Sequence, residues 1–177
     1  NPKQFSSDKR QEFKPKYGDS PLYEHHTTSL VFNDPPLHTR VRRLIIGALS
    51  PKAIAQLQPA LVARVDQLLD AMEGRERVDL IEDFASAIPI EIIGNLLDVP
   101  HGERTPLREW SLAILGALEP VVKPEAFERG NRAVQGFLTY LEGLVARRRA
   151  HPGDPQRDVL TRLIQGEDNG ERLSPPE

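Results

Sequence analysis

Apolar residues recur along the chain at the three- and four-residue spacing of helices, and the strict alternation that would mark half-buried strands is nearly absent. Leu37, Val41, Leu44 and Ala48 form one helical stripe, and His38, Arg42, Ile45 and Leu49 form a second about 100° around the same cylinder. Ser50-Pro51 reads as an N-cap and first-turn proline opening a helix whose face is Leu57, Leu61, Val65, Leu68 and Met72, ending near Gly74. Asp79 and Glu82 have capping-box spacing. Ile81, Phe84, Ala85, Ile88, Ile92 and Leu96 then keep helical register to Pro100, with a kink expected at Pro89. Val78 to Leu80 reads either as a short strand or as the entry to that helix. Leu107, Trp110, Ile114 and Leu118 predict a helix stopped by Pro120. Pro124 starts another, with Phe127, Val134, Phe137, Leu138, Leu141, Leu144 and Val145 inward and Arg147-Arg148-Arg149 in the last turn, where positive charge suits the helix dipole. His151 to Pro155 is a break, followed by a short helix through Val159, Leu160, Leu163 and Ile164. Residues 8–33 carry Pro15, Gly18, Pro21 and the polar run His25 to Ser29, so they read as a long irregular segment with one helical turn at most. The expected fold class is mostly α.

Composition narrows the function. A chain of 177 residues, 38% hydrophobic and 28% charged, can bury one core of ordinary size. A net charge of −3, with no basic stretch interleaved with aromatics, gives no reason to expect nucleic acid. No apolar run approaches the roughly 18 residues that span a bilayer, and residues 1–20 are too polar for a signal peptide, so no membrane partner and a cytoplasmic location are expected. The absence of cysteine removes disulfides, zinc-thiolate sites and cysteine nucleophiles. His25 and His26 are adjacent and lack the i, i+4 spacing that places two metal ligands on one helical face. Trp110 reads as a core anchor.

The candidate site is the pair His38 and Arg42, one turn apart and flanked by Ile45 and Leu49. A guanidinium held against apolar neighbours costs several kcal/mol unless an anion neutralises it. Two readings follow from helix geometry: a snorkelling Arg42 beside a satisfied core histidine, or a pair of donors facing a bound anion.

Asp34-Pro35-Pro36-Leu37-His38-Thr39-Arg40-Val41-Arg42-Arg43, with the run Leu44 to Pro51, resembles the C-helix segment of bacterial cytochrome P450 monooxygenases. Phe5-Ser6-Ser7 is similar to the stretch before that family's first variable loop, and Ile88 to Pro100 resembles its E helix. The resemblance implies an incomplete cytochrome P450 fold, with residues 1–33 as the B-to-C loop region and 34–177 as helices C to H. It implies that His38 and Arg42 hold the propionates of haem (heme, iron protoporphyrin IX). It also implies a haem-thiolate monooxygenase that inserts one oxygen atom from O2 into a small apolar organic substrate, with a ferredoxin-type electron donor for which Arg40 and Arg43 are candidate docking charges. Leu30, Val31, Leu115, Leu118 and Val121 lie in stretches that resemble the family's pocket-lining regions, although apolar residues of this kind are more often plain core.

The family's later motifs have no counterpart here: Ala-Gly-x-x-Thr, a glutamate three residues before an arginine, and the iron-ligating cysteine. Ser174-Pro175-Pro176-Glu177 spells another capping box with no helix after it. The expectation is therefore a partial domain that is inactive alone. The alternative is a free-standing, non-catalytic helical module that binds a small apolar ligand or a protein partner.

Overall fold

Pro124 supplies a first turn that needs no amide donor, and the 27 residues from Pro124 to Ala150 run on as one helix. The computed structural model describes residues 4–49, 51–155, 158–166 and 172–174, and among these it contains helices and turns but no strand. In chain order the helices are α1 (Arg10–Tyr17), α2 (Pro21–Thr28), α3 (Leu37–Ala48), α4 (Pro51–Ala55), α5 (Gln58–Met72), α6 (Ala87–Leu96), α7 (Thr105–Gly116), α8 (Pro124–Ala150) and α9 (Val159–Gln165). Single 3₁₀ turns cover Leu30–Phe32 and His101–Glu103, and a wider π turn covers Leu80–Ala85.

Helices α7 and α8 form an antiparallel pair: Ala117 lies near Gly130, and Trp110 lies over Gly136 farther along α8. Small residues allow the approach, since a Cβ on Gly130 would stand 2.9 Å from a Leu22 methyl. Helices α1 and α2 close over this pair. Leu22 and Val134 are fully buried with Tyr17, Ile114, Ala117 and Ala133, and the Tyr17 hydroxyl donates to the Ala117 carbonyl at 2.6 Å. A second core gathers Val99, Leu107, Leu144 and Leu160, and Trp110 and Phe137 touch both. Each fully buried leucine or valine contributes about 2 kcal/mol.

Residues 8–33 differ from expectation. They hold two helices and a 3₁₀ turn rather than an irregular segment. Pro15 removes one amide donor inside α1, but Phe13 and Tyr17, four residues apart, bury on the same side and offset that loss. Gly18, at φ 61°, ends the helix. Pro21 is a first-turn proline, and the Ser20 hydroxyl caps α2 by accepting from the Tyr23 amide.

The expected helix through Ile81 to Leu96 is divided. Asp79 caps the chain as its spacing indicated, accepting from the amides of Ile81 and Glu82. The Ser86 amide then bonds to the Ile81 carbonyl, five residues back, and α6 starts afresh at Ala87. Pro89 therefore falls in the first turn of α6, where its missing donor costs nothing, and it does not kink a continuous helix. Val78 to Leu80 is an entry, not a strand. Leu138, read as inward, is 43% exposed. The N-cap at Ser50 and the capping box ending at Glu177 lie outside the described residues.

Candidate functional site

Helix α3 buries Val41, Leu44 and Ala48 against α9 and the Leu30–Phe32 turn. That fixes its rotation. His38, Ile45 and Leu49 become half-buried, and Arg42, Arg43, Thr39 and Gly47 are exposed. The structure therefore keeps His38 and Arg42 on one side of the helix, a turn apart, but Arg42 is not enclosed by apolar neighbours as the second stripe suggested.

The environment of the pair is informative by contrast. Arg75, Arg104, Arg108, Arg147 and Arg148 each lie against a carboxylate of the protein. Among the described residues, the side chains of His38 and Arg42 make no hydrogen bond, and the charge of His38 acts on the nearby Asp34 carboxylate. An imidazole and a guanidinium with free donors, beside the half-buried Ile45 and Leu49, suit a ligand that carries carboxylates on an apolar body. The propionates and macrocycle of haem fit that description. Arg40 is engaged elsewhere, donating to the carbonyl of Arg172 at 3.3 Å.

The entry to α3 is built by side chains that the hydrophobic pattern did not mark. The Asp34 carboxylate accepts from the Ser6 hydroxyl and from the Ser7 amide at 2.9 Å. The first of these bonds, then the second, favours the ionised carboxylate and holds its pKa below the ordinary carboxylate range. Buried Asn33 donates its amide group to the carbonyls of Ser29 at 2.7 Å and Thr27 at 3.2 Å, and it accepts from Arg10. The only prior signal was that Asp34 stands before Pro35, a turn-forming pair.

The remaining candidates scatter. Val31, Leu115 and Val121 are exposed, at 71%, 61% and 86%, and Leu30 and Leu118 are half-buried. His25 and His26 face each other, with ring nitrogens 3.4 Å apart inside an aromatic cluster. No group of three metal-binding side chains occurs among the described residues, and no described helix is long and apolar enough to cross a membrane.

No family model matches the chain. Individual proteins do. It is 36% identical over 141 residues to Cytochrome P450 107B1 of Saccharopolyspora erythraea, covering 80% of this chain and 32% of that protein. It is 30% identical to the cyclomarin C epoxidase CymV of Salinispora arenicola, over 100% of this chain and 44% of that protein. Among solved structures, P450BioI in complex with an acyl carrier protein ligated to hexadec-9Z-enoic acid superposes with a TM-score of 0.83 at 26% identity, over 97% of this chain and 43% of that one. The chain thus spans about a third to under a half of the length of these curated relatives. With its all-helical fold and the motif at the start of α3, the chain belongs to the bacterial cytochrome P450 family.

Proposed function

We propose that these residues are the part of a haem-thiolate monooxygenase that anchors the cofactor's carboxylates and borders the substrate pocket. The observation that carries this reading is the pair His38 and Arg42, placed a turn apart on α3 with side chains that make no hydrogen bond among the described residues. Arg42 would offer a planar fork of N–H groups to a carboxylate, and His38 would add a second donor in its protonated form or in the appropriate tautomer. Ile45 and Leu49 would meet the apolar body beside those carboxylates. The thiolate ligand would come from polypeptide outside these 177 residues, which contain no cysteine.

The chemistry that thiolate-ligated haem supplies is the insertion of one oxygen atom of O2 into a small organic substrate. The substrate class is small and apolar, in keeping with Leu30, Leu118 and their exposed neighbours Val31, Leu115 and Val121. A ferredoxin-type donor would approach the outer side of α3, where Arg43 is exposed and adds positive charge that speeds encounter with an acidic partner. The cytoplasm is the proposed location.

The test uses full-length protein loaded with haem. Arg42→Ala should speed haem transfer to excess apomyoglobin by about tenfold, the loss of one charge-assisted pair. An unchanged transfer rate overturns the assignment. A reduced, carbon monoxide-treated sample of the unsubstituted protein should show the strongly red-shifted absorption of thiolate-ligated haem; without it, the non-catalytic helical module becomes the better reading.

A further inference from the structure

Helix α3 begins without a side-chain cap, because Pro36 occupies the N-cap position and has nothing to offer the first amides. Its first turn is fixed from outside. The His38 amide donates to the Asp34 carbonyl at 3.1 Å, and the Arg40 amide to the Pro36 carbonyl at 3.1 Å. Asp34 in turn is tied through its carboxylate to Ser6 and Ser7, 28 and 27 residues earlier. The Ser6 hydroxyl also accepts from the Asp8 amide at 3.1 Å, so the strap is itself folded before it reaches Asp34. On the other side, Asn33 is locked to the end of α2 by its two amide bonds. Pro35 and Pro36 have fixed φ angles and leave little slack between this junction and His38.

We propose that Asp34 is a positioning residue for the anion-binding pair, holding the first turn of α3 to the Ser6–Ser7 strap so that His38 and Arg42 present their donors together. This rests on the reading of His38 and Arg42 given above. Asp34 touches no ligand in this scheme. It acts through the carbonyl that receives the His38 amide and through the stiff Pro35-Pro36 link. The strap at residues 5–8 thereby becomes part of cofactor retention, although its side chains do no chemistry.

Haem transfer from the full-length, haem-loaded protein to excess apomyoglobin tests this, alongside the thermal midpoint. Asp34→Ala should raise the transfer rate about fivefold, as expected for losing a pair of hydrogen bonds to a charged acceptor in water. Ser6→Ala should raise it less, because the Ser7 amide bond remains. Asp34→Asn should stay within about twofold, since its amide oxygen still accepts from Ser7. The deciding comparison introduces Asp34→Ala into a His38→Ala/Arg42→Ala background, where a positioning residue has nothing left to position and should add no further increase. An equal increase in both backgrounds, or none in the unsubstituted one, overturns the proposal. If His38→Ala/Arg42→Ala alone leaves haem transfer unchanged, the reading of the pair fails first, and the role of Asp34 fails with it.

Discussion

Helices α7 and α8, with α1 and α2 across them, contrast sharply with α5, although both regions carry clear helical faces in sequence. Around α7 and α8, apolar faces find protein partners: Leu22, Ala117 and Val134 are fully buried, and two aromatic residues, Trp110 and Phe137, bridge to the second core. Helix α5 buries only Leu68 among its apolar residues, with Val62 and Leu69 about half exposed and Ile54 of the neighbouring α4 similar. A periodic stripe thus states that a helix has an apolar side; it does not state what lies against that side. The first region is closed by elements within these residues. The second lies open among them.

The largest expected effect is on the closed side. Leu22→Ala removes a fully buried side chain that seats against Gly130 and should cost about 3 kcal/mol of stability by chemical denaturation. A loss below about 1 kcal/mol would mean that the site relaxes around the gap, and the contrast between the two regions would weaken.

His26 sharpens the comparison from within the same core. Its ring is 2% exposed, packed among Phe13, Tyr17 and Phe32, and its Nε2 has no hydrogen-bond partner among the described residues. Burial, followed by the neighbouring charges of His25 and Lys16, lowers its pKa to about 4 from 6.5. Between those values the unfolded chain binds the proton and the folded chain does not, so stability rises with pH across the window and is lost as pH falls from about 6.5 toward 4. The loss attributable to His26 across that window is about 3 kcal/mol, and His26→Phe should flatten that part of the stability profile. A profile that keeps its slope in the variant would assign the titration to other groups.

What the sequence revealed, and what it concealed, follows the same division. Helix α8 was legible because Pro124 and the arginines of its last turn mark its two ends, and because α7 supplies the partner that its spacing demands. The face Leu57, Leu61, Val65, Leu68 and Met72 is half-buried or better, but the single helix expected from Pro51 is divided into α4 and α5, with Leu57 at the N-cap of α5. Helices α1 and α2 were missed because Pro15, Gly18 and Pro21 look like breakers in isolation, whereas one is tolerated by the burial of Phe13 and Tyr17 and another is a first-turn proline behind Ser20. At the candidate site, spacing gave the common face of His38 and Arg42 but not the exposure of Arg42, which depends on how α9 rotates α3. The Asp34 junction was hidden because its partners are 27 and 28 residues away, beyond any local pattern.

The smallest effect is expected on the open side, and it probes the contrast most directly. Val62 is 50% exposed on α5, seven residues before the similarly exposed Leu69. Valine and serine differ little in helix propensity, and at a surface position the exchange removes apolar area that water already reaches. Val62→Ser should therefore change stability by no more than about 0.5 kcal/mol. Chemical denaturation of the full-length protein reads this against Leu22→Ala. A loss above about 1.5 kcal/mol would mean that Val62 is buried there by polypeptide outside the described residues, a cost that only transfer of apolar surface from water explains. The openness of α5 would then be a property of these residues alone, and the difference between the two regions would be one of which segment closes each core rather than of whether it closes.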